Sequence, residues 1–248
     1  MGIPELRIDG GVARITLRRP EQANRLEPDD LAALADHIAT VNGRPEVLVL
    51  VLQSAGKYFC SGYDISKIGG PGSIGFEEVI NLLEDCRPVT VAVLQGSVYG
   101  GATDMALACD FRIGAHGIDM FMPAARLGLH FYPRGLERYV SRLGLDQAKR
   151  LFLTAERIDA DEMKAIGFLT QLVPADQLVG TADALIGTLS SMAPLPLIGM
   201  KKHLNRIARG TLDSADLQLD MARTVASADL REGQAAWTEK RKPRFTGQ

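Results

Sequence analysis

Two uninterrupted apolar runs constrain the fold of this chain more than any other feature. Residues 47–52 read VLVLVL and residues 89–94 read VTVAVL, with no regular alternation of polar and apolar positions. Strands of this kind are buried on both faces, as in a parallel sheet that is covered by helices. Residues 76–86 lie between the runs and predict a helix. Residues 47–94 therefore predict a parallel unit of strand, crossover helix and strand.

The rest of the chain fits an α/β core followed by helices. Residues 6–17 predict a hairpin around an Asp-Gly-Gly turn, and residues 28–42 predict a helix that begins at Pro28. After about residue 146 almost every segment is predicted to be helical. The expected helices cover residues 146–153, 159–166, 175–192, 196–209, 213–226 and 230–240. We expect an α/β core in residues 1–190 and a helical region in residues 191–248, whose apolar side chains pack on the core or on a neighbouring subunit.

Composition excludes several classes of protein. The 248 residues carry a net charge of −2 with both signs spread along the chain, so no basic surface for nucleic acid is indicated. Three cysteines form neither a disulfide framework nor a zinc knuckle, and no metal site is expected. No secretory signal is seen, and no apolar run reaches the roughly 18 residues of a membrane span. These features predict a soluble, cytoplasmic protein with no nucleic-acid or membrane partner.

Glycine-containing segments directly follow the two apolar runs. Residues 57–65 contain a Ser61-Gly62 turn, and residues 95–104 contain Gly100-Gly101 ahead of a predicted helix over residues 102–108. Carboxyl ends of parallel strands meet at one edge of a sheet, where ligands bind. Free N–H groups and the positive end of a helix dipole at that edge would suit a developing oxyanion.

Three side chains near these segments are candidates for acid–base chemistry. Asp104 falls in the first turn of the predicted helix, where an acid is either functional or simply favoured by the helix dipole. His130 and Tyr132 lie in a third segment, residues 121–135. A lone histidine is more often structural than catalytic, so both interpretations of His130 stay open.

These segments resemble the crotonase (enoyl-CoA hydratase/isomerase) superfamily. The match comprises Phe59-Cys60-Ser61-Gly62-x-Asp64, then Gly96-x-x-x-Gly100-Gly101, and it extends from residues 19–24 to residues 239–245. The resemblance implies an α/β fold of ββα units wound into a spiral, followed by a C-terminal helical trimerisation region. It implies a homotrimer or a dimer of trimers. It also implies an acyl-CoA substrate, with coenzyme A as part of the substrate and no tightly bound cofactor.

The resemblance assigns roles to residues of the predicted site. The oxyanion donors map to the main-chain N–H groups of Tyr63 and Gly101. The two glutamates of the family's hydratases map to Asp104 and Ala124, and an alanine cannot transfer a proton. Standard two-glutamate hydration is therefore not expected. Either Asp104 transfers protons together with a partner such as His130 or Tyr132, or the reaction is not hydration.

The resemblance also implies a coenzyme site beside the loop at residues 22–26 and the segment at residues 61–65. Its predicted contacts are Gln22, Ala23, Arg25, Ser61, Asp64 and Ile65. Trp237 and Lys240 of a neighbouring subunit are predicted to contact the nucleotide by stacking or by charge. The alternative for Trp237 is simple packing at a subunit interface.

Other functions remain as alternatives. Residues 96–102 and 122–124 are similar to methylmalonyl-CoA decarboxylases of the same superfamily, although those carry histidine where this chain has Tyr63. A catalytically inactive CoA-binding homologue is a third possibility, because Ala124 removes one acid. Residues 70–75 match G-x-G-x-x-G, but they do not directly follow a strand, so a loop bordering the acyl pocket is predicted there instead of a dinucleotide site.

Overall fold

The strands of the chain form two sheets that meet around a buried core. The computed structural model describes residues 2–67 and 74–248 of the chain. The larger sheet has the order β1-β2-β3-β4-β6-β9, and the smaller has the order β5-β7-β8. The strands are β1 (Gly2–Asp9), β2 (Val12–Arg18), β3 (Val49–Ser54), β4 (Val89–Leu94), β5 (Val98–Tyr99), β6 (Phe111–Ala115), β7 (Asp119–Phe121), β8 (Ile158–Asp159) and β9 (Gln171–Val173).

Helices cover the sheets and make up most of the C-terminal third. They are α1 (Pro28–Asn42), α2 (Phe76–Glu84), α3 (Gly101–Ala108), α4 (Pro133–Leu143), α5 (Leu145–Thr154), α6 (Ala160–Ala165), α7 (Leu178–Ser190), α8 (Pro194–Ala208), α9 (Ser214–Ala226) and α10 (Ala228–Glu239). Within the described residues, no single helix has the length and apolar character of a membrane span. One pair, Ala175–Ser190 with Pro194–Ala208, meets that test only jointly and is bent by 109°.

The parallel unit predicted from the two apolar runs is confirmed. Strand β3 pairs with β4 in parallel, with Val49 opposite Val89, and α2 lies between them in the chain. Residues 49–51 are fully buried, as expected for strands covered on both faces. The predicted hairpin is also confirmed, because β1 and β2 pair antiparallel and β2 continues in parallel to β3.

The structure adds short strands where the sequence predicts none. Strands β5, β8 and β9 have only two or three residues each, too few for a periodic pattern. Strand β6 contains Arg112, which is buried because its guanidinium donates to the carbonyl oxygens of Phe168 and Cys109. A strand with a buried arginine does not resemble an apolar run, although its main chain joins β4 to β9.

The C-terminal helices divide into one that packs on the core and two that do not. On α8, the ammonium group of Lys201 donates to the carbonyl oxygen of Pro88 at 2.5 Å and lies 2.9 Å from the carboxylate of Asp110. Helix α9 packs on α8, and α10 packs on α9; both carry exposed apolar side chains, including Leu219, Met221, Val225 and Trp237. The division at residue 190 falls between α7 and α8 and stays a prediction.

Candidate active site

The two glycine-containing loops meet at the carboxyl ends of β3 and β4, as the sequence predicts. Gly62 has a φ of +98°, and a Cβ atom built there would lie 3.0 Å from the carbonyl oxygen of Tyr99 and 3.2 Å from the amide nitrogen of Gly101. Gly100 has a φ of +55° and donates its N–H to the carbonyl oxygen of Phe121 at 3.0 Å. Larger residues would separate the loops, so glycine is required for this close approach.

The main-chain amides of Tyr63 and Gly101 are the candidate hydrogen-bond donors of this arrangement. Among the residues that the structure describes, neither N–H finds a protein acceptor, although the neighbouring Asp64 N–H donates to the carbonyl oxygen of Leu26 at 3.0 Å. Gly101 is the first residue of α3, where N–H groups have no acceptor within the helix. Both residues line the same cavity, so two donors are available at one edge of the sheet.

This cavity has a volume of about 440 Å³ and mostly apolar walls. Ala124 lines it, so the position that the resemblance assigns to a second glutamate carries only a methyl group. Within the described ranges the charged or titrating groups of its wall, the tyrosines apart, are Lys67, Glu77 and His130, and all three are at least partly exposed. The interior of the cavity is therefore an apolar environment beside two amide donors.

Asp104 lies behind the cavity wall, where it is fully buried. Its carboxylate accepts two hydrogen bonds from Arg138, from Nε at 2.9 Å and from Nη2 at 2.7 Å. The Tyr132 hydroxyl donates to the same carboxylate, and Tyr132 lines the cavity whereas Asp104 does not. Burial, followed by the charge of Asp104, strongly raises the pKa of Tyr132, so the phenol stays neutral. Among the described residues, Asp104 is therefore connected to the cavity through Tyr132.

Arg138 continues the network to a second buried carboxylate. Its Nη1 donates to Glu84 at 2.9 Å, and Glu84 also accepts hydrogen bonds from Arg134, Arg142 and Arg209. Burial acts to raise the pKa of Glu84, but attraction to Arg138 and Arg142 outweighs it, and the net shift is downward. These arginines fix Glu84 as an anion between α2, α4 and α8.

Arg138 is a part of the site that was not predicted from the sequence. On α4, Gly135, Arg138 and Tyr139 lie at helical spacing and are all buried. An arginine on the buried face of an amphipathic helix requires an anionic partner, and this was the available signal. The partner, Asp104, lies 34 residues earlier in the chain, so no local pattern identifies it.

His130 lines the cavity but takes no part in this network. It is exposed, and its Nδ1 atom lies 2.7 Å from the carbonyl oxygen of the adjacent Phe131. The structure therefore brings Tyr63, Gly101, His130 and Tyr132 to one cavity, with Asp104 one layer behind. Of the loop predicted to border the acyl pocket, residues 70–75, residues 70–73 lie outside the described residues.

The residues predicted to contact the coenzyme lie on two loops that are bonded to each other. The Ser61 N–H donates to the carbonyl oxygen of Ala23 at 2.9 Å, and the Leu26 N–H donates to that of Gly62 at 2.8 Å. Asn24 of the first loop is buried, and its side-chain amide donates to the carbonyl oxygens of Ala55 and Tyr58 at 2.8 and 2.9 Å.

Side chains of the two bonded loops divide between the solvent and the cavity. Gln22 and Arg25 are exposed, and Arg25 lies 3.5 Å from the carboxylate of Asp64. Ser61 and Ile65 line the cavity.

Trp237 and Lys240 lie away from this cavity. Trp237 is 87% exposed on α10, and Lys240 caps the same helix with a φ of +54°. In the described chain neither residue lines the cavity that holds Tyr63 and Gly101. Their predicted contact with a coenzyme therefore depends on a neighbouring subunit.

One cluster in the described residues has the composition of a metal site, at the α8–α9 contact. Ligand atoms of His203, Asp216 and Asp220 lie within 4.8 Å of one another. Lys202 already contacts both carboxylates, at 2.8 and 2.6 Å, and Arg206 contacts Asp216 at 2.5 Å. These cations balance the acids, so we assign the cluster to helix packing.

Comparisons with known proteins by sequence and by structure agree on one family. A family model described as Enoyl-CoA hydratase/isomerase matches residues 7–248. The chain is 30% identical to a short-chain-enoyl-CoA hydratase of Clostridium acetobutylicum, with 94% of each chain covered. It is 28% identical to a peroxisomal Delta(3,5)-Delta(2,4)-dienoyl-CoA isomerase of Arabidopsis thaliana, over 96% of this chain and 93% of that one. A crystal structure of an enoyl-CoA hydratase from Bacillus anthracis superposes with a TM-score of 0.90 at 26% identity, and each chain is fully covered.

Proposed function

The chain belongs to the enoyl-CoA hydratase/isomerase family, and from this membership we propose that it stabilises the enolate of an acyl-CoA thioester with the amides of Tyr63 and Gly101. The observation that carries the proposal is that two N–H groups at the edge of one apolar cavity have no acceptor among the residues that the structure describes. Coenzyme A enters as part of the substrate. Family membership supports this substrate class, and the oxyanion role is our inference.

The two amides act on the carbonyl oxygen of the thioester. Negative charge gathers on that oxygen as the enolate forms, and a donor aimed at it strengthens its hydrogen bond during the reaction. Each donor of this type contributes about 100- to 1,000-fold in rate. The N-terminus of α3 adds the positive end of its helix dipole beside Gly101. Because both donors are main-chain groups, the side chain of Tyr63 is compatible with the role.

Proton transfer in this site passes through Tyr132 and Asp104. Tyr132 donates its proton to Asp104, so its oxygen can accept a proton from the substrate or from water as its own proton passes to the carboxylate. Arg138 holds Asp104 in place for this transfer. The relay moves one proton, and Ala124 supplies no second group. We therefore propose an isomerase or lyase that does not use two glutamates.

Decarboxylation is the second candidate reaction. Loss of carbon dioxide gives the enolate directly, so it requires the oxyanion donors and no strong base. The apolar wall at Ala124 favours this alternative. A catalytically inactive CoA-binding homologue is the third candidate, and the two amide donors and the Tyr132–Asp104 pair argue against it.

We place the nucleotide end of the coenzyme outside the loops of residues 22–26 and 61–65. Gln22, Ala23, Arg25, Ser61, Asp64 and Ile65 are the proposed contacts. The exposed apolar side chains of α9 and α10 support a homotrimer or a dimer of trimers, in which Trp237 and Lys240 come from a neighbouring subunit. Light scattering measures the assembly, and a monomeric protein would contradict this placement. Cytoplasmic location stays a prediction.

One assay panel tests the function. The purified protein is incubated separately with crotonyl-CoA, a dienoyl-CoA and methylmalonyl-CoA, and product masses are measured. A mass gain of one water identifies hydration, a loss of carbon dioxide identifies decarboxylation, and an unchanged mass with a shifted double bond identifies isomerisation. A parallel thermal-shift titration with coenzyme A separates an inactive binder from a protein that binds no CoA compound. Absence of both binding and turnover would overturn the proposal.

A further inference from the structure

We propose that the acyl group of the substrate carries an aromatic ring. This inference rests on the proposed function, because it concerns the occupant of the cavity beside Tyr63 and Gly101. Six aromatic residues line that cavity: Tyr63, Phe76, Tyr99, Phe121, Phe131 and Tyr132. The whole chain has only 14 aromatic residues, namely one tryptophan, five tyrosines and eight phenylalanines, so the cavity holds a large share of them.

Four of these rings form a continuous surface. Phe131 stacks on Tyr132 with ring centres 4.4 Å apart and planes inclined by 23°. Phe76 meets Tyr132 edge to face at 6.3 Å and lies 5.8 Å from the ring of Tyr63. These four rings, which we call the first ring group, therefore extend from the proposed oxyanion donor at Tyr63 to the proposed proton relay at Tyr132.

Tyr99 and Phe121 form a second ring group, with ring centres 4.9 Å apart. The guanidinium of Arg157 lies 5.1 Å from the ring centre of Tyr99 and 5.2 Å from that of Phe121, which fixes both rings from outside. Among the described residues, no ring of this group pairs with a ring of the first group. Both groups line the cavity, so an acyl group in it would meet rings from both.

Two of the three tyrosines, Tyr99 and Tyr132, present ring surface to the cavity because their hydroxyls are bonded to carboxylates. The Tyr99 hydroxyl donates to Asp119 at 2.7 Å, and the Tyr132 hydroxyl donates to Asp104. Each carboxylate is held in turn by an arginine, Arg157 or Arg138. An acyl chain in the cavity therefore meets ring carbon on these walls, with the Tyr132 oxygen as the polar contact near the reacting carbon.

Ring surfaces distinguish an aromatic acyl group from an aliphatic one of the same size. Aromatic pairs in offset or edge-to-face geometry add about 2- to 10-fold in affinity beyond the area that they bury. An aliphatic ring fills the same space and buries at least as much apolar surface, but it has no π system. A preference for the aromatic ring over its bulkier saturated counterpart therefore reports the flat π surface and not the apolar area that is buried.

The test compares three ligands by calorimetric titration of the full chain. They are coenzyme A, 3-phenylpropanoyl-CoA and 3-cyclohexylpropanoyl-CoA, and neither thioester has the double bond that an isomerase or hydratase requires. We expect the phenyl compound to bind at least about fivefold more tightly than the cyclohexyl compound. Equal or reversed affinities would overturn the aromatic inference and leave the proposed function standing. If none of the three binds, the proposed function itself fails.

Two variants locate the source of the preference. Phe121→Leu and Phe131→Leu each remove one ring from one group, and each is expected to reduce the phenyl preference by about twofold or more. Phe111→Leu is the matched control, because Phe111 lies on β6 in a different groove and is expected to keep the full preference. A preference retained in both cavity variants, or lost equally in the control, would contradict the assignment to these rings.

Discussion

Asp104 and Arg138 form a bidentate ion pair that is shielded from solvent at both ends. The two hydrogen bonds measure 2.9 and 2.7 Å, and the side chains are 0% and 1% exposed. Removal of one partner from such a pair leaves a buried charge without compensation, which is strongly destabilising. The pair therefore stabilises the cavity wall that carries Tyr132, in addition to its proposed role in proton transfer.

Variants of Asp104 and Tyr132 separate these two contributions. Tyr132→Phe keeps the ion pair and the ring stack but removes the hydroxyl, so we expect turnover to fall at least about tenfold with little change in Tm. Asp104→Asn removes the charge, and we expect the same loss of turnover together with destabilisation of about 3 kcal/mol. Near-normal turnover in Tyr132→Phe would remove the hydroxyl from the mechanism. The measurements are steady-state kinetics and thermal unfolding on the same preparations.

The amide of Gly101 can be removed by proline. Gly101 is the first residue of α3, where proline is tolerated, and Gly100 has φ +55° and ψ −133°, the mirror image of the conformation that precedes proline. Gly101→Pro is expected to lower kcat about 100-fold or more.

Gly101→Ala is the matched control for this substitution. Both variants add a Cβ atom that must displace the ring of Phe76, which lies 2.7 Å away, but alanine keeps the N–H group. Equal turnover in the two variants would show that the amide is not an oxyanion donor.

Glu84 is expected to make stability depend on pH in the acid range. Its pKa in the folded protein lies below the ordinary value of 4.5, so its contribution is complete above that pH and is lost as the pH falls through the folded value. Glu84→Gln should cost about 3 to 5 kcal/mol at neutral pH and flatten the dependence below pH 4.5. Glu78→Gln, at an exposed position on the same helix, should change neither the stability at neutral pH nor its dependence on pH. Urea unfolding between pH 3 and 7 provides the measurement, and parallel curves for wild type and Glu84→Gln would refute the prediction.

Restoring an acid at position 124 should change the reaction. Ala124 is 5% exposed and lines the cavity, so a glutamate there would place a carboxyl group beside the bound acyl chain. We expect Ala124→Glu to raise the rate of crotonyl-CoA hydration at least about tenfold over wild type, because a second proton-transfer group becomes available. Ala124→Gln has nearly the same size without the acid and should give no increase. Equal rates in both variants would show that position 124 does not face the reacting carbons.

The sequence predicts the central strands and the meeting of the two glycine loops because both depend on local patterns. An apolar run such as residues 89–94 indicates a buried strand without knowledge of its neighbours. The loops then meet because parallel strands bring their carboxyl ends to one edge. The N–H groups of Tyr63 and Gly101 follow from that topology together with the family resemblance.

The ion-pair network could not be predicted in the same way. Arg138 and Asp104 are 34 residues apart, and Arg138 and Glu84 are 54 residues apart. Charged residues on a helix are usually solvated, so an arginine in α4 suggests exposure when no partner is known. The burial of Arg112 in β6 could not be predicted either. Its guanidinium is buried because it donates to main-chain carbonyl oxygens that come together when the chain folds.

The hydrogen bonds between the loops at residues 22–26 and 61–64 determine how this scaffold can be re-engineered. The side chain of Asn24 bonds the first loop to the carbonyl oxygens of Ala55 and Tyr58. The main-chain N–H groups of Ser61 and Leu26 bond the two loops to each other. A graft of either loop from another protein would break these links unless its counterpart is transplanted with it. The wall from Phe121 to Phe131 shares none of these hydrogen bonds among the described residues. It can therefore be redesigned for new acyl groups while the coenzyme end is left untouched.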